Sequence, residues 1–183
     1  DVLGFNFFNQ KNSSFEFRPG PIFNQIVLVD EINRATPRTQ SALLESMQEF
    51  QVTIDGTTQQ LPNPFTIIAT QNPIEMEGTF PLPEAQLDRF IMRLSLGYPT
   101  KEEENELFTR SDNNHLSEVI TPITDSQQII ELQNIHKSVK VTKEIKNYII
   151  KIISATRNEE DIVLGASPRA SLDLYKACQA KAA

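Results

Sequence analysis

The sequence predicts an α/β segment over residues 1–98, followed by a small all-helical segment over residues 99–183. Two short and mostly apolar runs, residues 26–29 and 65–70, are each followed by polar residues, which is typical of buried strands in a parallel sheet. After Tyr98-Pro99 the apolar residues recur at helical spacing instead. These two observations favour a layered α/β fold with helices appended to it.

Composition limits the classes of function. The chain has 183 residues, a net charge of −7 and one cysteine, Cys178. Because clustered Lys and Arg carry non-specific binding to nucleic acids, this charge argues against a nucleic acid as the main partner. A lone cysteine cannot form an internal disulfide, so we expect a reducing, cytoplasmic environment. We see no apolar run long enough to span a membrane.

Local patterns define the elements of the first segment in order. The phenylalanines around Phe15 and the turn at residues 18–21 predict a short hairpin before the first strand. Thr36-Pro37 is typical of an N-cap and the first position of a helix. Asp55-Gly56 predicts a second hairpin before the second strand. The intervening helix should have one apolar face, formed by Leu43, Leu44, Met47 and Phe50.

The remaining patterns predict one more strand and then only helices. Residues 83–90 are expected to form a short helix and residues 91–96 a third strand. Thr100 and Glu103 have the spacing of a capping box, and Ser167-Pro168 predicts the start of a last helix. Helical spacing between these points is carried by Ile129, Leu132, Ile135, Ile145, Tyr148, Ile149 and Ile152.

Two acids, Asp30 and Glu31, end the first buried strand. The carboxyl ends of parallel strands are where α/β proteins bind ligands. There, one acid can hold Mg²⁺ and the next can orient or deprotonate a water molecule. A strand can also simply leave the core through two acids, and on this feature alone that interpretation is the stronger one.

Three more polar residues could serve the same ligand, although each also has an ordinary structural explanation. Asn72 could donate to a phosphate or hold a water, or it could start the turn before Pro73. Arg89 has a planar fork suited to phosphate oxygens, but it could equally pair with an acid at the surface. Arg169 lies in the first turn of a helix, where the dipole disfavours a cation. It therefore indicates either a nearby anion or a tolerated exposed charge.

Together and in this order, these segments resemble the MoxR family of AAA+ ATPases. The resemblance covers nearly the whole chain and is densest between Phe17 and Pro99. It implies an AAA+ P-loop-type parallel sheet, present here as its second half only, and a small all-helical lid domain. It is carried by residues 26–34, residues 39–47, Ala69-Thr70-Gln71-Asn72-Pro73 and the run Glu77-Gly78-Thr79-Phe80-Pro81-Leu82-Pro83-Glu84-Ala85-Gln86-Leu87-Asp88-Arg89-Phe90.

The resemblance implies a role for each candidate residue, with ATP and Mg²⁺ as cofactors. Asp30 and Glu31 would be the Walker B pair, Asp30 serving Mg²⁺ and Glu31 the hydrolytic water. Asn72 matches sensor 1, and Arg89 matches the arginine finger that acts on ATP held by the neighbouring subunit. Arg169 matches sensor 2 on the lid. The two predicted hairpins match inserts that commonly face the pore or the substrate in ring ATPases.

The chain departs from the family pattern because it contains no G-x-x-x-x-G-K-[ST] loop. By the resemblance, that loop and its strand lie upstream of Asp1. That strand would sit between the strand ending at Asn72 and the strand at residues 91–96. We therefore expect this chain to be inactive by itself. Its first two strands could still pair, while residues 91–96 would lose their neighbour and expose an apolar edge.

The leading hypothesis is an ATP-hydrolysing chaperone that forms a ring, expected to be a hexamer, and remodels or activates partner proteins. In this family the partners often carry von Willebrand A domains. A second hypothesis is a non-catalytic binding or assembly module, in which the acid pair is a relic. A metal-dependent nuclease using Asp30 and Glu31 is disfavoured by the acidic charge and the missing third ligand.

Overall fold

The computed structural model describes residues 2–72, 78–112 and 121–183. Pro73 and Glu77 of the quoted motifs lie outside these residues. The strands are β1 (Gly4–Asn9), β2 (Ser14–Pro19), β3 (Ile26–Val29), β4 (Gln51–Ile54), β5 (Thr57–Gln60) and β6 (Thr66–Ala69). The helices are α1 (Pro37–Glu49), α2 (Glu84–Leu87), α3 (Lys101–Asp112), α4 (Ser126–Ile135), α5 (Lys143–Asn158) and α6 (Pro168–Ala182). Short 3-10 turns occupy Pro21–Phe23, Ile32–Arg34 and His136–Ser138.

A parallel pair of strands, β3 and β6, forms the centre of the first segment. Val27 lies opposite Ile67, and Val29 lies opposite Ala69. The two strands are 40 residues apart in sequence, and α1 with the β4–β5 hairpin fills the connection. The predicted pairing of these two strands, and with it the α/β class, is confirmed.

Both predicted hairpins form, and α1 begins at the predicted N-cap. β1 pairs antiparallel with β2, and β4 pairs antiparallel with β5 around Asp55-Gly56. Thr36 caps α1, because its hydroxyl accepts the Thr39 amide at 3.4 Å. Phe50 is not on the apolar face: it ends α1 at a φ of 52° and is exposed. The core consists of Ile22, Ile32, Leu43, Leu44, Val52, Leu61 and Leu82.

The two central strands are buried on one face only, so the prediction of fully buried strands is wrong. Val27 is 6% exposed, whereas Ile26 and Leu28 are 69% and 67% exposed. Successive side chains point to opposite faces of a strand. In this chain, α1 and the core cluster cover one of these faces. Among the described residues nothing buries the other, to which Ile68 also contributes.

Residues 91–96 are irregular, so the predicted third strand is absent from this part of the structure. A strand exists only where its backbone groups pair with a neighbour. β3 and β6 pair with each other, and neither pairs with this segment. Its apolar side chains are correspondingly exposed, as expected for a segment without a neighbour: Ile91, Met92, Leu94 and Leu96.

The second segment is helical, as predicted. Thr100 and Glu103 form the expected capping box: the Glu103 carboxylate accepts the Thr100 amide at 2.7 Å, and the Thr100 hydroxyl accepts the Glu103 amide at 3.3 Å. Ile149 and Ile153 of α5 are buried, as is Gln179 of α6. Among residues 2–72, 78–112 and 121–183, no helix is long and apolar enough to span a membrane. The boundary near residue 98 stays a prediction.

Candidate functional site

The acid pair lies at the carboxyl end of the parallel strands, and Thr70 organises it. Directly after β6, the Thr70 hydroxyl donates to Asp30 Oδ1 at 2.6 Å and accepts the Glu31 amide at 2.8 Å. The Thr70 backbone also bonds to both sides of the pair, through the Val29 carbonyl and the Ile32 amide, each at 3.0 Å. One threonine therefore fixes the positions of both acids.

Glu31 has a backbone conformation that reflects this constraint. Its φ of 49° lies in the left-handed region, which is unfavourable for a residue with a side chain. The hydrogen bonds of the Thr70 hydroxyl and carbonyl on either side of Glu31 hold the chain there. The Glu31 carboxylate forms an ion pair with Arg34, with 3.1 Å between Oε2 and Nε. Strain of this kind concentrates at functional sites and turns.

Asn72 is brought to the same edge of the sheet as the two acids. The side chain of Asn33, which is 8% exposed, donates from Nδ2 to the Asn72 backbone carbonyl at 3.3 Å. Asn33 Oδ1 is buried and has no hydrogen-bond partner among the described residues. The contact ties the turn after the acid pair to the end of the second strand, so Asp30, Glu31 and Asn72 share one edge.

The two candidate arginines lie together at a second corner of the molecule. Arg89 donates from Nη1 to the Leu44 carbonyl of α1 at 2.9 Å. Arg169 lies 3.8 Å from Asp88 Oδ2 and donates to Gln48 Oε1 at 3.5 Å. In the described part of the chain, no hydrogen bond or ion pair joins either arginine to Asp30 or Glu31.

Helix α1 sets the separation between these two groups. Buried Gln40 donates from Nε2 to the Ile32 carbonyl at 3.0 Å and to the Phe80 carbonyl at 2.8 Å. Gln40, Leu44 and Gln48 are four residues apart, so they form one stripe along the helix. At 1.5 Å per residue, the Arg89 contact lies about 6 Å and the Arg169 contact about 12 Å along the axis from the Gln40 contact.

A cleft of about 610 Å³ adjoins the arginine corner, between α1, the start of β4 and α2. Arg89 and Leu44 line it, together with Glu45 and Glu49. The cleft does not include either acid of the pair. This cleft therefore lies beside the candidate arginine finger.

Sequence reasoning missed the residues that position the site. Thr70 was quoted as part of a motif but was given no role. In the parallel register Val29 lies opposite Ala69, so Thr70 comes next to Asp30 at the same edge of the sheet. Asp88 was likewise quoted only as part of a motif, and Ser167 was predicted only to start the last helix. The Ser167 hydroxyl donates to Asp88 Oδ1 at 2.7 Å across 79 residues of sequence, a contact that no local pattern signals.

Comparisons with known proteins agree on one family. Residues 1–92 match the ATPase family associated with various cellular activities (AAA). The chain is 50% identical over 182 residues to the uncharacterized protein YeaC of Bacillus subtilis strain 168, covering 100% of this chain and 57% of that protein. It is 39% identical over 196 residues to Chaperone MoxR1 of Mycobacterium tuberculosis, covering 100% of this chain and 50% of that protein.

A solved structure supports the fold. The crystal structure of a protein from Cytophaga hutchinsonii, described as a candidate ATPase, superposes with a TM-score of 0.85 at 41% identity. The alignment covers 100% of this chain and 58% of that one. The chain thus spans about half the length of the relatives that it matches. The family match over residues 1–92, together with these relatives, shows that the chain belongs to the MoxR-type AAA+ ATPases.

Proposed function

We propose that this chain carries the acid-bearing part of an ATP-hydrolysing MoxR-type chaperone, whose phosphate-binding loop lies in the part of the protein that precedes it. The reaction is in-line attack of water on the γ-phosphate, which is stabilised mainly by charge and positioning. The observation that carries the proposal is the double contact of Thr70, which holds Asp30 and the Glu31 backbone at the ligand-binding edge of a parallel sheet.

The oxygen donors at this edge suit Mg²⁺. Asp30 is an exposed carboxylate, and the Thr70 hydroxyl holds its Oδ1 in one orientation. Mg²⁺ binds through oxygen, usually one or two carboxylates together with water and substrate phosphates. When bound, the ion offsets phosphate charge. Asp30 would hold it, and Thr70 would keep the carboxylate in place.

Glu31 is the residue that orients the attacking water and accepts its proton. Its carboxylate lies beside the Arg34 guanidinium, with 3.1 Å between Oε2 and Nε, which holds the side chain in one orientation. Asn72 lies at the same edge and would hold the water or the γ-phosphate through its side-chain amide. Asn33 supports this arrangement because it binds the Asn72 carbonyl.

Arg89 and Arg169 act together on the nucleotide of a neighbouring subunit. Both are tied to the end of α1 and to α2, about 6 and 12 Å along α1 from the contact beside the acids. A shared position at one corner favours a shared ligand, and the resemblance assigns Arg89 to the adjacent subunit's ATP. The active assembly is accordingly a ring, which we take to be a hexamer in the cytoplasm.

The clients of this ring are proteins, including proteins with von Willebrand A domains. Support for protein clients comes from the relative named Chaperone MoxR1, and the von Willebrand A domains come from the family resemblance alone. The β1–β2 and β4–β5 hairpins provide exposed surface for such contacts, since Phe15 is 75% exposed. Asn6 of the first hairpin donates to Asp55 of the second at 2.6 Å, so the two hairpins act as one surface.

The direct test is Glu31→Gln in the full-length protein. The amide keeps the shape of the side chain but cannot accept a proton, so turnover should fall about 10²- to 10⁴-fold while ATP binding persists. Glu102→Gln, an exposed acid on α3, serves as the matched control and should leave turnover unchanged. Turnover of Glu31→Gln within threefold of wild type contradicts the role of Glu31.

Mixed rings test the action across subunits. Arg89→Ala alone should lose about 10³- to 10⁵-fold in rate. Mixing it with Glu31→Gln subunits should restore part of the activity, because some interfaces then combine an intact acid with an intact finger. If mixed rings form without any recovery, Arg89 does not act in trans. Absence of ATP turnover in the wild-type protein favours the alternative, a non-catalytic assembly module with a relic acid pair.

A further inference from the structure

The start of α6 is fastened to the end of α2 through a single carboxylate. Asp88 Oδ1 accepts the Ser167 hydroxyl at 2.7 Å, and Asp88 Oδ2 lies 3.8 Å from Arg169 Nη1. The two partners are two residues apart on α6, and Asp88 directly precedes Arg89. Asp88 therefore contacts the start of the helix that carries Arg169, and it is the sequence neighbour of Arg89.

We propose that Asp88 is a positioning residue that holds Arg169 in register with Arg89, so that both arginines reach one phosphate group together. This inference rests on the proposed ATPase function and deepens it. Asp88 acts through the arginines and touches no substrate itself. Both oxygens of its carboxylate are used, which fixes the α6 terminus in direction as well as in distance.

The contacts around Asp88 divide this task. Ser167 has two roles, because its oxygen also accepts the Ala170 amide at 3.2 Å and so caps α6. The hydrogen bond from Ser167 to a charged acceptor at 2.7 Å is the stronger contact. The ion pair is long and partly exposed, so it aims the Arg169 side chain without contributing much stability. Gln48 holds the same guanidinium from α1.

The variant Ser167→Asp removes the hydrogen bond to Asp88 but keeps the N-cap of α6. Aspartate is a good N-cap, and Asp125 caps α4 in this chain by accepting the Gln128 amide at 2.9 Å. A carboxylate at position 167 would keep α6 capped but repel Asp88. We expect turnover of the full-length protein to fall about 10- to 100-fold, as for a misplaced catalytic group. The thermal midpoint should fall by about 2–8 °C, because a partly buried hydrogen bond to a carboxylate is lost while the helix cap is kept.

Substitutions of Asp88 complete the set. Asp88→Ala should lose turnover to the same extent as Ser167→Asp, with KM for Mg-ATP unchanged. The activity of Asp88→Asn should lie between those of Asp88→Ala and wild type, because its amide oxygen still accepts the Ser167 hydroxyl whereas the ion pair with Arg169 is lost. Asp161→Ala, an exposed acid, is the matched control. Turnover of Asp88→Ala equal to that of wild type would overturn the positioning role.

The deciding measurement uses mixed rings of the full-length protein. Asp88→Ala subunits supply an intact Glu31, and Glu31→Gln subunits supply intact Asp88, Arg89 and Arg169. Mixing them should restore activity to the level of the Arg89→Ala and Glu31→Gln mixture. Recovery in that reference mixture without recovery for Asp88→Ala overturns the inference alone. No recovery in either mixture overturns the action across subunits as well.

Discussion

Removal of the Thr70 hydroxyl tests how the acid pair is held. Thr70→Val keeps the branched shape of the side chain, which suits the end of a strand. It deletes two hydrogen bonds at once, the one donated to Asp30 at 2.6 Å and the one accepted from Glu31 at 2.8 Å. Both acids should then lose their fixed position relative to the sheet.

The expected loss of stability follows from these two contacts. A neutral hydrogen bond contributes about 0.5–1.5 kcal/mol net and one to a charged group about 1.5–3 kcal/mol. Because Thr70 and Asp30 are exposed, water replaces part of each contact, and we expect a total loss of about 1–2 kcal/mol. For a chain of this size that lowers the thermal midpoint by about 2–8 °C. Turnover should fall about 10- to 100-fold, since the acids lose their geometry.

Two further variants make this test specific. Thr66→Val changes another exposed threonine on the same face of β6 and should leave both quantities within error. Thr70→Ser restores the hydroxyl and should restore most of the turnover. Denaturation followed by circular dichroism and a steady-state ATPase assay of the full-length protein provide the measurements. If Thr70→Val matches Thr66→Val in both assays, Thr70 does not organise the pair.

Three other outcomes follow from the sequence and the contacts. The 183-residue chain alone should not bind Mg-ATP in a calorimetric titration, because it lacks the Gly-rich loop whose amides and Lys hold the β- and γ-phosphates; micromolar affinity would contradict this. Gln40 is 3% exposed, and Gln40→Leu leaves the Ile32 and Phe80 carbonyls without their hydrogen-bond donor. The variant should lose about 2–3 kcal/mol of folding stability, measured by urea denaturation, whereas Gln133→Leu on exposed α4 should lose little. The Thr100 amide lowers the pKa of Glu103, so the stabilisation by Glu103 is present above the pKa of the unfolded state and is lost as pH falls through the folded one. At neutral pH, the thermal midpoint of Glu103→Gln should therefore be lower than that of wild type. If the same difference persists in strong acid, the ionised Glu103 carboxylate is not the source of the stabilisation.

Local patterns were sufficient for the elements whose determinants lie within a few residues. The caps at Thr36, Thr100 and Ser167 and the turn at Asp55-Gly56 follow from side-chain hydrogen bonds and backbone preferences that act over three or four positions. The acid pair at the end of β3 was found for the same reason. A run of aliphatic residues that stops at two carboxylates is readable without knowledge of its neighbours.

The strand prediction at residues 91–96 failed because a strand depends on its neighbour. Its sequence resembles that of a buried strand, yet the described part of the chain provides no partner for it. The exposed faces of Ile26 and Leu28 have the same origin, since burial requires an element packed on each side of the sheet. The amino-acid composition of a segment indicates its tendency to form a buried strand, but the strand forms only if neighbouring elements pair with it and pack on it.

By itself the sequence determined the family, the order of elements and the residue types available for phosphate chemistry, because these depend on local spacing and on recognisable motifs. Only the tertiary structure decided which of them meet. It set Thr70 against Asp30 across 40 residues and Ser167 against Asp88 across 79, and it grouped Arg169 with Arg89 at the end of α1. Such contacts arise from strand register and helix packing, which bring together residues that are far apart in the chain and that no local sequence pattern connects.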